Sequence, residues 1–357
     1  MEAASVAAQG LARRSAAWDL VTRLVDRWGL IAALAGMPVY LFIHDLVVKG
    51  SLVKLGNVFV AGISNGAIWA LIALGYTLVY GIIELINFAH GDVFMIGSFV
   101  SYGFMINVIG LKTSSSVPAL IGGLLLTLIV AMVVCAALNM MIERVGYRPL
   151  RGAPKLAPLI TAVGFSFILE DVGQLWLGGN PQGVPDLISG QTDLFRVFGV
   201  QIDREDVLAV GITIPLVLFL TGFIARSRLG KAMRATAQDP EAARLMGINV
   251  DTTISVTFIL GGLLAGAGGL IYALYQTNIQ YQQGFRAGLI AFTAAVMGGI
   301  GNLRGAVLGG FIIGIIQQLS DNRISASWTP AIVFIYLVLI MVLKPQGLIG
   351  EETREAG

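Results

Sequence analysis

The densest group of ionisable residues within the apolar part of the chain lies in the stretch 82–92, which contains Glu84, His90 and Asp92. Such groups are costly at membrane depth and usually face a cavity or a partner. One histidine and two carboxylates could bind a metal or relay a proton, but their spacing is not a regular metal-ligand pattern. We therefore predict no metal site and interpret the stretch as a structural turn or as the lining of a gate.

A second candidate for chemistry is the basic stretch 226–253. Asp239 precedes Pro240, which is typical of a helix N-cap followed by proline at the first helical position. Glu241 in the first turn suits the helix dipole, and Gly247 ends the helix within two turns. This pattern favours a short docking helix between two longer ones, although an ordinary solvated loop has the same composition.

Motifs for phosphate binding and for hydrolysis are absent from the sequence. The nearest approach to a phosphate-binding loop, at 229–232, lacks both the upstream glycine and the hydroxyl residue. Zinc-protease and serine-hydrolase signatures are also missing, and with two histidines most catalytic sets are excluded. We predict that the chain is not an enzyme and binds no cofactor of its own.

The elements that must position these residues are apolar helices. The sequence is 56% hydrophobic and 12% charged, whereas soluble domains carry about 25% charged residues. A surrounding bilayer explains the difference, and the net charge of +2 gives no indication of nucleic acid. No barrel-like alternation is present, so we predict an all-α polytopic transmembrane bundle of about 9–10 spans. The apolar runs are 28–48, 55–80, 93–110, 117–142, 157–178, 207–225, 254–275, 287–300, 305–320 and 329–343.

The runs 287–300 and 305–320 are short for a straight span. They could form two short helices or one hairpin that is broken between Gly301 and Gly305. Glycines in such a break would tolerate irregular backbone beside a pathway, but they could equally serve tight helix packing.

Charge asymmetry predicts the orientation of the chain. The loops 143–155 and 226–249 are rich in arginine and lysine, whereas the loop 179–206 is mainly acidic. The positive-inside rule places the first two loops and both termini in the cytoplasm. The predicted organisation is a cytoplasmic segment 1–27, an additional span 28–48 (or a helix in the interface), a transmembrane domain 55–345 with a coupling loop 226–253, and a cytoplasmic tail 346–357.

Polar and glycine residues at membrane depth are candidates for a translocation pathway, although each could instead hydrogen-bond or pack against a neighbouring helix. We also expect the 82–92 turn and the 291–305 break to lie near one another at an inner gate. The candidates are Asn65, Asn87, His90, Thr293, Gly298, Gly299 and Gly301.

Glu241-Ala242-Ala243, followed after three residues by Gly247, resembles the EAA motif of ABC-importer permeases, although Thr257-Phe258-Ile259 replaces its usual continuation. Wider stretches resemble the branched-chain amino acid permease family, and its H-type subunit in particular. These stretches are 70–83 (ALIALGYTLVYGII), 86–98 (INFAHGDVFMIGS), 142–151, 291–301 and 344–350. Residues 1–54 depart from the family.

This resemblance implies a permease subunit of an ABC importer of leucine, isoleucine and valine in the bacterial inner membrane, with ATP used by partner subunits. It implies an M-type permease, two ATP-binding subunits, a periplasmic or lipid-anchored binding protein and the lipid bilayer as partners, and no nucleic acid. Urea, short amides or other amino acids are alternative substrates. A gradient-driven secondary transporter and a membrane-embedded enzyme are the alternatives outside ABC transport. The implied ATPase-coupling residues are Arg234, Asp239, Glu241, Ala242, Ala243 and Gly247.

Overall fold

The computed structural model describes residues 29–49, 52–188 and 194–350. The predicted N-terminal segment 1–27 and most of the predicted tail lie outside these residues. The described helices are α1 (Leu30–His44), α2 (Val53–Ile83), α3 (His90–Tyr102), α4 (Val117–Ile142), α5 (Leu156–Leu177), α6 (Arg204–Arg226), α7 (Arg228–Gln238), α8 (Pro240–Leu245), α9 (Val250–Gln276), α10 (Gln283–Gly298), α11 (Leu303–Arg323) and α12 (Thr329–Leu343).

Short π-helical segments continue α1 (Asp45–Lys49), α3 (Gly103–Val108) and α4 (Glu143–Tyr147), and a 3₁₀ turn follows at Arg148–Leu150. The described strands are very short: β1 (Gln182–Gly183), β2 (Phe195–Val197), β3 (Val200–Ile202) and β4 (Asn278–Ile279). β1 pairs antiparallel with β4, and β2 with β3, so they tie loops together rather than form a sheet layer.

The all-α polytopic bundle is confirmed. Among the described residues, 7 helices are long and apolar enough to cross a membrane, namely α2, α3 with its continuation, α4 with its continuations, α5, α6, α9 and α11. Two shorter apolar helices, Leu34–Val47 and Thr329–Leu343, accompany them. Each of the ten apolar runs in the sequence contains a helix, and the runs 287–300 and 305–320 form two separate helices, α10 and α11.

Contacts between loops define two ends of the bundle. At the end that we call the basic end, Lys155 Nζ lies 2.8 Å from Glu84 Oε2, and Asn302 Nδ2 donates to the Ile349 carbonyl at 2.8 Å. The opposite end contains both strand pairs, and we call it the strand end. There Gln201 N donates to Asn57 Oδ1 at 2.9 Å. The ten longer helices therefore run alternately between the two ends.

The centre of the bundle is built from close backbone contacts. From Ser64 to Val79, α2 is buried throughout. α11 lies directly against it: a Cβ added at Gly314 would be 2.3 Å from Gly66 Cα, and one added at Gly310 would be 2.5 Å from Ala70 Cα. Four-residue spacing of small residues on one face permits such an approach. By contrast, α4, α5, α6 and α12 expose large apolar side chains, as expected for surfaces that face lipid.

Candidate coupling surface and transport site

The predicted short capped helix is α8. The Asp239 carboxylate accepts hydrogen bonds from the backbone N–H groups of Glu241 at 2.8 Å and Ala242 at 3.0 Å, so it satisfies two donors of the first turn. Gly247 follows the helix with φ +81, a left-handed conformation that glycine adopts without strain. The local chemistry read from the sequence therefore determines both ends of α8.

The side chains of α8 divide into a buried and an exposed set. Ala243 is buried against the bundle, whereas Glu241, Ala242 and Arg244 are exposed. Beyond them Leu245 is 89% exposed and Met246 is 83% exposed. Sequence reasoning missed these two apolar residues, although their position directly before the terminating Gly247 is a signal that could have found them. α8 thus presents an apolar tip flanked by charges.

α7 fixes α8 to the transmembrane helices. The Arg234 guanidinium donates to the Ile224 carbonyl at the end of α6, and Met233 is buried. A Cβ added at Gly230 would be 2.1 Å from the Ile224 oxygen, so α7 lies in direct backbone contact with α6. A movement of α7 and α8 would therefore be transmitted to α6.

A buried carboxylate joins the end of α4 to the start of α9 beside this surface. Glu143 is fully buried and accepts a hydrogen bond from Ser255 Oγ at 2.7 Å. Arg151 contacts Glu143 and Asp251, and Arg148 lies 3.1 Å from Asp251. Nearby, the hydrogen bond to Glu84 raises the pKa of Lys155. One group of ion pairs thus joins α4 to α9 at the basic end, and a separate pair joins the end of α2 to the start of α5.

The polar pathway candidates lie inside helix contacts. The Asn65 amide donates to Gln318 Oε1 at 3.3 Å and accepts from Gln276 Nε2 at 3.4 Å, and the Asn87 amide donates to Asn139 Oδ1 at 3.3 Å. His90 is fully buried, with its ring 5.0 Å from that of Tyr76. Thr293 Oγ1 donates to the Leu289 carbonyl at 2.8 Å. Asn65 and Thr293 are thus held by hydrogen bonds within the bundle, whereas both ring nitrogens of His90 and Oδ1 of Asn87 are buried without a hydrogen-bond partner.

The glycine candidates form the break between α10 and α11. Gly299 has φ +107 and Gly301 has φ +90, so both adopt conformations that other residues rarely tolerate. Asn302 then caps α11 by accepting hydrogen bonds from the N–H groups of Arg304 at 3.0 Å and Gly305 at 3.2 Å. Gly298 packs against the Gly305 carbonyl. Irregular backbone here is thus protected by protein contacts.

The structure places the 82–92 turn and the 291–305 break side by side. The rings of Phe88 and Phe292 lie 6.1 Å apart, and a Cβ added at Gly81 would be 3.3 Å from Gly301 Cα. A cavity of about 250 Å³ opens beside this contact, between the end of α2, the break and α7, and both Gly301 and Arg234 line it. One coupling candidate and one pathway candidate therefore share a cavity at the basic end. The role of this region as a gate stays a prediction.

Two cavities of more than 400 Å³ open at the strand end. The first, of about 490 Å³, is lined by Lys54 and by the carboxylates of Asp203, Glu205 and Asp206. The second, of about 410 Å³, lies between five helices and contains Arg286 and Asp321. Sequence reasoning missed this charged pair of residues because each flanks an apolar run, where a charge is ordinarily interfacial.

The ionisable residues of the 82–92 stretch do not come together. Glu84 pairs with Lys155 at the surface, whereas Asp92 is buried and accepts a hydrogen bond from Ser166. Across the described part of the chain no group of three or more His, Cys, Asp and Glu side chains is arranged to hold a metal ion. The expected absence of a metal site remains a prediction.

Residues 58–343 match the family described as the permease component of the branched-chain amino acid transport system. The chain belongs to this family. The permease is 38% identical to the high-affinity branched-chain amino acid transport permease BraD of Pseudomonas aeruginosa, over 82% of this chain and 94% of BraD. It is 39% identical to the corresponding LivH protein of Escherichia coli K12, over 81% of this chain and 93% of LivH.

A more distant relative, the probable branched-chain amino acid permease LivH of Methanocaldococcus jannaschii, is 28% identical over 80% of this chain and 89% of that protein. No solved structure matches the permease. α1 precedes the matched residues, in agreement with the observation that residues 1–54 depart from the family.

Proposed function

We propose that the permease is the H-type membrane subunit of an ABC importer that carries leucine, isoleucine and valine into the cell, with ATP hydrolysed by separate subunits. The observation that carries this proposal is the family match over residues 58–343, at 38–39% identity to permeases named for this transport. The proposal places the permease in the bacterial inner membrane with an M-type permease, two ATP-binding subunits and a substrate-binding protein.

Charge supports the orientation in this proposal. The basic end carries the arginine- and lysine-rich loops 143–155 and 226–249, so the positive-inside rule assigns it to the cytoplasm. In the proposed orientation the strand end is outside and both ends of the described chain are inside. α8 is then on the cytoplasmic side, where an ATPase can reach it.

The exposed tip of α8 supports its role as the ATPase-docking element. Leu245 and Met246 project from a helix that rests on the bundle through one small side chain, Ala243. Exposed apolar residues rimmed by charge are typical of protein interaction sites. Docking there would transmit motion through α7 to α6 and to the cavity lined by Arg234 and Gly301.

Reconstitution of the permease with its partner subunits and binding protein in proteoliposomes tests the proposal. We expect ATP-dependent uptake of labelled leucine. Replacing both Leu245 and Met246 with serine should abolish copurification of the ATP-binding subunits, and Gly247→Leu should uncouple ATP hydrolysis from uptake. Ile324→Ser, which replaces an exposed apolar residue at the strand end, is the control and should retain the ATPase.

The outcomes separate the alternatives. Leucine uptake without nucleotide or partners would indicate a secondary transporter and would refute the proposal. Uptake of urea or amides in preference to leucine would refute the substrate assignment. Normal coupling in Gly247→Leu, together with normal ATPase copurification in the double serine variant, would refute the assignment of α8 as the docking helix.

A further inference from the structure

The 410 Å³ cavity at the strand end is built from one face of each of five helices. α9 contributes Tyr272 and Gln276, α10 contributes Gln283, Arg286, Ala287 and Ile290, α11 contributes Gln317 and Asp321, α12 contributes Pro330, Val333 and Phe334, and α2 contributes Trp69. Spacings of three and four residues place side chains on the same helix face. The lining is therefore a coherent surface.

Polar groups of this cavity retain unused hydrogen-bonding capacity. Arg286 forms no ion pair or hydrogen bond with the described part of the chain, and no ion pair joins it to Asp321. Gln317 Oε1 accepts from Trp69 Nε1 at 2.6 Å, which leaves the Gln317 amide group as a donor. One Asp321 oxygen accepts from the Thr329 hydroxyl, which leaves the other oxygen as an acceptor.

Three further glutamines, Gln276, Gln280 and Gln283, line the cavity, and the rest of its lining is mainly apolar. Leu289, Ile290, Val333 and Phe334 border the cavity beside the charged groups. Its volume of about 410 Å³ lies within the range of small-molecule sites, about 300–1,000 Å³. The cavity thus combines a cation, a separate anion and an aliphatic and aromatic wall, which is the complement of a small zwitterion with an apolar side chain.

We propose that this cavity is a transport subsite for a zwitterionic amino acid with an aliphatic side chain, in which Arg286 and Gln317 receive the carboxylate and Asp321 receives the ammonium group. The apolar wall then contacts the side chain of the amino acid. This inference rests on the proposed function and names the place where the substrate enters the membrane subunit. A subsite at the strand end would receive the amino acid after its release from the binding protein.

The other strand-end cavity does not have this complementarity. Three carboxylates, those of Asp203, Glu205 and Asp206, face a single lysine, Lys54, and two of the carboxylates serve in the capping box of α6.

A phospholipid headgroup such as phosphatidylethanolamine shares the zwitterionic chemistry of an amino acid and is the rival ligand for the 410 Å³ cavity. This cavity, however, extends from Gln280 at the strand end to Trp69, which is halfway along α2 and within the bundle. Such depth favours a free amino acid over a headgroup at the membrane surface.

Ligand binding to the full chain tests the subsite directly. The permease in nanodiscs of phosphatidylglycerol is titrated with L-leucine, and binding is followed by saturation transfer to the leucine methyl groups. We expect saturable binding of leucine. The affinity should be at least about tenfold lower for leucinamide, which lacks the carboxylate, and for 4-methylpentanoate, which lacks the ammonium group.

Matched variants assign each charge. Arg286→Gln should lower the affinity for leucine by about tenfold, but it should hardly change the already low affinity for leucinamide. Asp321→Asn should lower the affinity for leucine to a similar extent, but it should hardly change the affinity for 4-methylpentanoate. Asp321→Asn retains an acceptor for Thr329. Arg304→Gln replaces another exposed arginine without a described partner, at the basic end, and should bind leucine normally.

Uptake by the assembled transporter separates this inference from the proposed function. If the wild type imports leucine and both Arg286→Gln and Asp321→Asn import it with unchanged KM and kcat, the subsite is refuted and the function stands. If the wild type imports no leucine, the proposed function itself fails. Copurified phosphatidylethanolamine that leucine does not displace would identify a lipid site and would also overturn the subsite.

Discussion

Two of the segments that contact α11 do so by different physical means. α2 contacts it through backbone, since Gly62 and Gly66 lie against the chain at Gly314, Ile315 and Phe311. The end of α1 contacts it through charge, since Asp45, which is fully buried, forms an ion pair with Arg323. Apolar contacts accompany this ion pair: Leu41 lies in a small cluster with Leu55, Val58 and Leu319, and α1 also packs against α12.

This difference shows which parts of the molecule depend on one another. In lipid, helices gain little from burying apolar surface, so close backbone packing and polar contacts determine their association. The α2–α11 contact requires small residues over several turns and lies within the residues matched to the family. The α1 contact combines one ion pair with a small apolar cluster, and α1 itself precedes those residues. We therefore expect the first contact to be essential for the fold and the second to be local.

The largest expected effect comes from breaking the α2–α11 contact. In Gly314→Leu a side chain would begin 2.3 Å from Gly66 Cα, where backbone must move to accommodate it. Overpacking of a core costs about 1–3 kcal/mol and sometimes more. Because this clash is with backbone, we expect the free energy of unfolding to fall by at least about 3 kcal/mol. The monodisperse protein should be lost on size exclusion in detergent.

Gly164→Leu is the matched control, because a Cβ at Gly164 in α5 meets nothing within 4 Å. It should give normal yield and a normal melting temperature. Equal behaviour of the two variants would show that backbone contact does not hold α2 against α11.

An intermediate effect is expected when the α1 contact is broken. Asp45→Ala leaves Arg323, whose side chain is 10% exposed, without its carboxylate partner. Removing one member of a buried pair costs about 3–5 kcal/mol, but here the loss should be confined to the docking of α1. A cysteine crosslink between α1 and α12, in a Cys135→Ala background, should form less efficiently while the rest of the bundle keeps its melting temperature.

The double variant Asp45→Leu with Arg323→Met removes both charges and should restore much of the crosslinking, since no buried charge is left unpaired. If Asp45→Ala instead unfolds the whole permease, α1 is integral to the fold and the contrast with α2 is wrong.

Much of the fold could be predicted because lipid imposes long apolar runs. Each of the ten runs contains a helix, and the family resemblance assigned from the stretch 70–83 and its companions is confirmed by the match. The uncertainty at 287–320 had a physical basis, because α10 has only 16 residues and its end depends on glycines. Which helices neighbour one another could not be predicted, since glycine spacing shows that a helix face carries small residues but not which helix packs against it.

The candidate site was predictable only where its chemistry is local. Asp239 and Gly247 cap α8 through neighbours a few residues away, so the sequence contains the whole argument. Asn65 hydrogen-bonds to Gln276 and Gln318, more than 200 residues distant, so its burial could not be foreseen. The 410 Å³ cavity was missed for the same reason, because its five helices meet only in the fold.

The smallest expected effect sharpens the comparison by testing the apolar part of the α1 contact. Leu41→Ala removes a buried side chain from the cluster with Leu55 and Leu319. In a soluble core this change would cost about 2–5 kcal/mol, but lipid or detergent chains can occupy the space. We expect Leu41→Ala to weaken the docking of α1 by less than about 1 kcal/mol and to leave α1–α12 crosslinking nearly normal. Tyr40→Ala, at a neighbouring position that is 65% exposed, should have no effect. If Leu41→Ala releases α1 as fully as Asp45→Ala does, apolar packing rather than the ion pair holds this helix.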